Sequence, residues 1–298
     1  MDMSTDEPQT TVCKEPNRVT VYVPVYNAER YLEGCLKGIQ AQTHPVDEIV
    51  VVDDGSTDGS ADIARRCGAR IIAQSTNLGL SQARRRAFAE IQTPFIAALD
   101  ADCIPEPDWL DTLMPDFENP SIGGTSGKLI EFHADCPVDR WRKVHMVQHW
   151  GDRRMNAPLH LFGNNTVFRR DAVLEAGNYP EGAEYRTNNE DYYMTRRLRE
   201  RGYHIIYNPQ AIVYHHRRDS VESLFRTYWN WFFLHRPRPD SLRGLWQKAR
   251  DNASRSVEFM KKDVRTRDRH LFTLDLLFFL EQSRLDFRYY LKVSSKSN

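Results

Sequence analysis

Several features that would settle a protein's class early are scarce in this 298-residue chain. Cysteine is one: the five present, Cys13, Cys35, Cys67, Cys103 and Cys136, are odd in number and scattered, without a C-x-x-C pair. That argues against a disulfide framework and a cysteine zinc site, and it fits a reducing compartment. An excess of charge is also missing. With 41 basic and 41 acidic residues, no overall field favours nucleic acid as a partner. No apolar run reaches the roughly 18 residues expected of a membrane-spanning helix. Residues 1–17 are polar, contain Asp2, Asp6, Glu7, Pro8 and Pro16, and show no secretory signal pattern. They are expected to form a disordered tail, and the chain to be cytoplasmic. Internal repeats and low-complexity segments are absent as well.

What is present is enough length for a sizeable core and a regular alternation from Arg18 onward. "RVTVYVPVY" (18–26) reads as a strand. "AERYLEGCLKGIQAQ" (28–42) reads as a helix, with Tyr31, Leu32, Cys35, Leu36 and Ile39 at helical spacing. An almost wholly apolar strand, "DEIVVVDDGS" (47–56), ends in acid and glycine. A short helix at 60–68, a strand at 69–74, a helix at 80–91 and a strand at 94–99 follow. Strands apolar throughout and separated by helices imply a parallel sheet covered on both faces. In such sheets, ligands bind beyond the carboxyl ends of the strands. The second half is less regular: a glycine-rich strand at 121–132, a strand or hairpin running into a short helix at 160–177, and a helix at 188–202. "YHIIYNPQAIVYHH" (203–216) reads as two short strands broken by a turn at Asn208-Pro209.

Two acidic pairs fall at strand carboxyl ends: Asp53-Asp54 and, within "ALDADC" (98–103), Asp100 with Asp102. Neighbouring carboxylates repel, so the second pair costs stability unless a cation or hydrogen-bond donors complete it. A solvated turn is the plainer reading, and the strand-end position weighs against it. Asp53 or Asp54 can accept hydrogen bonds from a nucleobase N–H or ribose hydroxyls; the same stretch also suits a turn with a helix cap at Ser56 or Thr57. An Asp-x-Asp pair offers hard oxygen ligands to Mg²⁺ or Mn²⁺, cations that are commonly shared with phosphates. A diphosphate bridged by such a cation is a better leaving group. Glu190-Asp191, in "NNED" (188–191), opens a helix. The pair either complements the helix dipole or supplies a base for a hydroxyl proton. His215 and His216 end a strand and should point to opposite faces. The other histidines show no spacing that marks them as ligands.

Taken in order, these stretches resemble family 2 glycosyltransferases of the GT-A fold. "VYVPVYNAERYLEGCLKGIQAQTHPVDEIVVVDDGSTDGS" is similar to the family's opening. "NLGLSQARRRAF", "PFIAALDAD" and "NNEDYYMTRRLRERGYHIIYNPQAIVYHH" keep its order and approximate spacing over residues 18–216. The resemblance implies a Rossmann-like, mostly parallel sheet flanked by helices, and a nucleotide pocket lined by Pro24, Tyr26, Asn27, Asp53, Asp54 and Arg84. It further implies Asp100 and Asp102 as the Asp-x-Asp motif, with Asp102 the direct Mn²⁺ or Mg²⁺ ligand and His215 a further one. Asp191 would be the catalytic base, with Glu190 the second choice. Two departures stand out: Cys103 replaces a third acid common after the motif, and Ala83-Arg84-Arg85-Arg86-Ala87 replaces an Ala-Arg-Asn-x-Gly run. Arg86 reads as solvated helix surface, and the role of Arg85 stays open.

Beyond about residue 219 the chain becomes aromatic, basic and helical. "SLFRTYWNWFFLHRPRPDSLRGLW" (223–246) interleaves eight large apolar side chains with Arg226, Arg236, Arg238 and Arg243. The expected division is a tail (1–17), a catalytic domain (18–218) and a helical extension (219–298). The extension either packs on the catalytic domain or touches a membrane surface, a placement that suits a lipid-linked acceptor. The overall expectation is a metal-dependent, inverting transfer from a nucleoside-diphosphate sugar to a hydroxyl of a glycan or lipid-linked glycan. A sugar-phosphate nucleotidyltransferase is the first alternative, and "VPVYNAER" is not its glycine-rich, lysine-containing phosphate loop. A non-catalytic sugar-nucleotide-binding module is the second, and the retained acids speak against it.

Overall fold

All seven residues of β1 (Val19–Val25) are buried, which requires cover on both faces of the strand. The computed structural model of the protein describes residues 17–182, 189–231 and 239–295. β1 pairs in parallel with β2 (Glu48–Asp53) and β4 (Phe95–Leu99), and β2 with β3 (Arg70–Ala73). The sheet continues through β5 (Cys103–Pro105), β6 (Ile122–Glu131), β7 (Asn165–Arg169) and β8 (His204–His215). Among the described residues these form one eight-stranded sheet in the order β3-β2-β1-β4-β7-β6-β8-β5. β7 runs antiparallel to both β4 and β6, while β6 and β8 are parallel. The expected mostly parallel sheet is therefore mixed beyond β4.

Side chains leave a strand alternately to either face, so β1 feeds two cores. Val19, Val21, Val23 and Val25 pack with Leu32, Leu36 and Ile39 of α1 (Glu29–Gln40). Tyr22 packs on the other face with Ala83, Ala87 and Phe88 of α3 (Leu80–Glu90) and Met194 and Leu198 of α7 (Glu190–Glu200). Each fully buried Val, Leu or Ile contributes about 1.5–3 kcal/mol, so Leu36→Ala should cost on the order of 2–5 kcal/mol. A third core is made by helices. Trp141 of α5 (Pro137–His145) packs with Phe225 and Tyr228 of α8 (Val221–Trp231), and with Leu274 and Phe278 of α10 (Phe272–Ser294). Phe259 of α9 (Leu242–Thr266) closes it. The tail, apart from Asn17, lies outside the described residues, as do Asn188, Phe232, Phe233, Leu234, Arg236 and Arg238.

Residues 203–216 depart from the two short strands expected. Residues 204–215 of this stretch form the single strand β8, whose register against β6 shifts between Ser126 and Lys128. Pro209 offers no N–H to a ladder, and the Asn208 side chain instead accepts the Gln210 N–H at 3.2 Å, so the irregularity is absorbed without reversing the chain. Gly127 sits opposite. A Cβ there would lie 2.0 Å from the Ala211 carbonyl oxygen, so pairing resumes only because the residue is glycine.

Candidate active site

Strand order reverses at β1, between β2 and β4, and chain leaving β4 meets this opening immediately. Asp100 follows Leu99, and the turn closes with the Cys103 N–H donating to the Asp100 carbonyl at 3.0 Å. The short strand β5 then pairs Cys103 with His215 of β8. That pairing carries Asp102 to the histidine: the Asp102 carboxylate lies 3.3 Å from His215 Nε2 and keeps 19% of its side chain open. On the far side of the ring, His215 Nδ1 is 2.9 Å from the Glu131 carboxylate. Arg142 donates to Glu131 at 2.9 Å and to Asp219 at 2.7 Å, and Arg217 donates to Asp219 at 3.1 Å. The result is an array of alternating charge running from the cleft into the protein. Burial works against ionisation along it, but the partners outweigh burial. His215 is raised to about 9 by Asp102 and Glu131, and Asp102 is held well below the usual carboxylate range by His215.

The second arm is built on Arg84, only 1% exposed. Its guanidinium donates to Asp100 at 3.0 Å, to Glu190 at 3.2 Å and to the Tyr22 hydroxyl at 3.1 Å. Glu190 is sealed, and burial followed by the neighbouring Asp191 charge raises its carboxyl to about 7. Asp191 is partly open to the cleft and accepts a long hydrogen bond, 3.5 Å, from the Gly163 N–H. A Cβ on Gly163 would stand 3.1 Å from the Arg84 guanidinium and 3.4 Å from Asp191 Cβ, so a larger residue would crowd both arms. The two arms face one cleft of about 720 Å³, lined by Arg84, Asp100, Asp102, Glu190, Asp191, His215, Arg142 and Arg217 among others.

A family model described as glycosyl transferase family 2 matches residues 20–176, just over half of the chain. The protein belongs to glycosyl transferase family 2. It is 28% identical over 243 residues to a glucosyl-dolichyl phosphate glucuronosyltransferase of Haloferax volcanii, covering 71% of this chain and 74% of that one. Among solved structures, the mannosyltransferase PcManGT of Pyrobaculum calidifontis, in complex with GDP-Man and Mn²⁺, superposes with TM-score 0.54 at 19% identity. The match covers 94% of this chain and 76% of PcManGT. S. aureus TarS 1-349 gives TM-score 0.55 at 18% identity over 71% of this chain and 64% of that 1-349 chain. At these identities the structural likeness establishes the GT-A fold alone.

Within this glycosyltransferase, the remaining sequence-predicted residues do not line the same cavity. Pro24 is buried in β1, and Tyr26, 51% exposed, and Asn27 follow its carboxyl end. The Asn27 side chain accepts the Thr57 N–H at 2.8 Å, and Asp53 accepts the Ser56 N–H at 2.9 Å. Both therefore shape the loop after β2 with their own side chains. Asp54 is buried, and its two oxygens take the Leu78 and Gly79 N–H groups at 2.7 Å and the Gln74 amide at 2.9 Å. It anchors the loop that leads into α3. Arg85 turns away from the cleft to Glu181 and the Tyr179 carbonyl, both at 2.8 Å, while the exposed Arg86 pairs with Glu90. Sequence reading missed Glu131, Arg142 and Arg217. Glu131 ends its strand as Asp53 ends its own, and Arg217 lies two residues past His215; both signals were visible.

Proposed function

We propose that the protein transfers a sugar from a nucleoside-diphosphate sugar to a hydroxyl acceptor in one inverting displacement, with Mn²⁺ or Mg²⁺ as cofactor. The observation that carries the reading is the convergence, on one cleft, of the partly open Asp102, its buried partner His215 and the partly open Asp191 carboxylate. The donor set fits such a cation. A carboxylate oxygen and an imidazole nitrogen face each other at 3.3 Å, and Glu131 behind Nδ1 fixes the ring as a second-sphere carboxylate does in metal sites. Asp102 and His215 would hold it, and when bound it would neutralise charge developing on the departing diphosphate. PcManGT, solved with GDP-Man and Mn²⁺, supports both donor class and cofactor.

The chain's own groups divide the remaining work. Asp191 takes the acceptor proton as the hydroxyl oxygen bonds to the anomeric carbon and the bond to the diphosphate breaks. Its exposure favours it over Glu190. The raised carboxyl of Glu190 makes it the rival, yet it is 3% exposed and held by Arg84, whereas Asp191 is the more open of the two. Arg84 holds Asp100 and Glu190 in place, and Arg142 and Arg217 put positive charge on the wall that a diphosphate would meet. Tyr26, Asn27 and Asp53, at the carboxyl ends of β1 and β2, receive the nucleotide, with Pro24 beneath them and Asp54 bracing the adjoining loop.

For the acceptor we infer a lipid-linked glycan, met at the cytoplasmic face of a membrane through the helical extension, residues 219–298. The name of the Haloferax relative supports a lipid-linked substrate. So do exposed Leu242 and Trp246 on α9 and exposed Leu276, Leu280, Phe287 and Leu291 on α10. No helix among the described residues is long and apolar enough to cross a membrane. On α8, by contrast, Leu224, Phe225 and Tyr228 are buried in core. The donor class is tested by incubating the protein with UDP-, GDP- and dTDP-sugars plus Mn²⁺ and following free nucleoside diphosphate. Release from none of them, with or without acceptor, would overturn the reading.

A further inference from the structure

A second histidine–acid cluster lies away from the cleft, inside the helical core. His145 ends α5, Asp263 belongs to the last turn of α9, and Asp275 to the first turn of α10. The side chains of all three have zero exposure. His145 Nε2 is 2.8 Å from Asp263 Oδ1 and 4.0 Å from Asp275 Oδ1, and one donor atom from each residue lies within 4.8 Å of the others. Trp141 donates to Asp275 at 2.8 Å. Beyond that, Asp263 Oδ2 and Asp275 Oδ2 are buried and receive no N–H or O–H from any other residue; at these oxygens the two carboxyl groups have only each other. Leaving such oxygens unmatched is costly, and native proteins rarely do so. A third buried acid of the same core shows the ordinary solution: Asp286 accepts from Trp229 at 2.9 Å and from Asn252 at 3.0 Å.

We propose that His145, Asp263 and Asp275 form a structural Zn²⁺ site that clamps α9 and α10 to α5. The donor set suits the ion, since Zn²⁺ takes imidazole nitrogen and carboxylate oxygen at about 2.0–2.2 Å in tetrahedral sites. That geometry separates ligand atoms by about 3.3 Å, between the two distances found from His145 Nε2. Asp263 or Asp275 would bind through both oxygens, which makes the site a distorted four-coordinate one rather than a regular tetrahedron. One divalent charge also balances two carboxylates that are otherwise sealed from water together. The clamp would bear on the cleft, because Arg142, Val147 and Gln148, on and just after α5, line its wall. It is independent of the proposed reaction and of the cleft cation.

The test separates the two sites. Full-length Asp102→Asn/His215→Gln protein, stripped with chelator, should still bind about one equivalent of Co²⁺ with the visible absorption of a four-coordinate site. Zn²⁺ should raise its melting temperature. Adding Asp263→Asn, close in shape to the native residue, should remove both the absorption and the thermal shift. Absence of Co²⁺ absorption and of any Zn²⁺ shift in the cleft-disabled protein would overturn the site and leave two acids sharing a proton. Should either variant fail to fold, wild-type crystals grown with Zn²⁺ and measured at the zinc edge decide the matter. An anomalous peak between α5 and α9 supports the clamp, and a cluster without one refutes it.

Discussion

Two clusters in this molecule combine one histidine with two acids, and their surroundings are opposite. In the cleft, His215 stands between Asp102 and Glu131, arginines continue the array, and Asp102 stays partly open. In the helical core, His145 meets Asp263 and Asp275 with no exposure, and the second oxygens of the two acids have only each other's carboxyl as partner. The electrostatics diverge accordingly. Burial opposes ionisation in both places, but His215 holds Asp102 low, whereas burial and the facing Asp275 raise Asp263 to about 8. Glu190 and Asp191 repeat the contrast between sequence neighbours: one is sealed against Arg84 and raised to about 7, the other opens to the cleft. Residue type does not separate the two clusters; exposure and partners do.

If the open cluster is the functional one, its loss should be catalytic rather than structural. Asp102→Asn should cut transfer by roughly a thousandfold or more and remove metal-dependent nucleotide affinity, with the melting temperature nearly unchanged. Calorimetric titration with nucleoside diphosphate and Mn²⁺ checks it, and undiminished affinity would break the contrast. For the adjacent pair, Asp191→Asn should lower turnover by about two to four orders of magnitude while donor affinity holds. Turnover surviving within about tenfold would move the base to the sealed Glu190.

A smaller effect tests what stands behind the open pair. Glu131→Gln removes the charge that fixes His215, and Mn²⁺ affinity should fall by about 10–100-fold in the same titration. The smallest effect concerns the sealed acid. Because burial raises Glu190 from 4.5 to about 7, the folded state favours its protonated form. Its contribution to stability is complete below about pH 4.5 and fades as pH rises through about 7. Across that window, the unfolding free energy of wild type minus that of Glu190→Gln should decline by about 3 kcal/mol. A flat difference in denaturant titrations would mean that Arg84 keeps Glu190 ionised throughout, and the sealed-versus-open distinction would fail for that pair.

The sequence by itself determined the alternation of apolar strands and helices through β4, the placing of Asp53, Asp100 and Asp102 at strand ends, and the ordered motifs of the family. These are local properties: side-chain period, turn residues and short spacings act within a few residues of chain. Tertiary structure alone decided which acids are open. Asp102, Glu131, Arg142 and His215 come from four separate segments, and they meet because β5 and β6 both pair with β8 while α5 packs beside them. Asp54 became a loop anchor and Arg85 turned to Glu181 for the same reason: the partners lie at distant positions in the chain. His145 had no spacing to mark it, since Asp263 and Asp275 reach it only across helices joined by a buried aromatic core. Burial and hydrogen-bond partnership are set by packing between remote segments, and no local pattern encodes them.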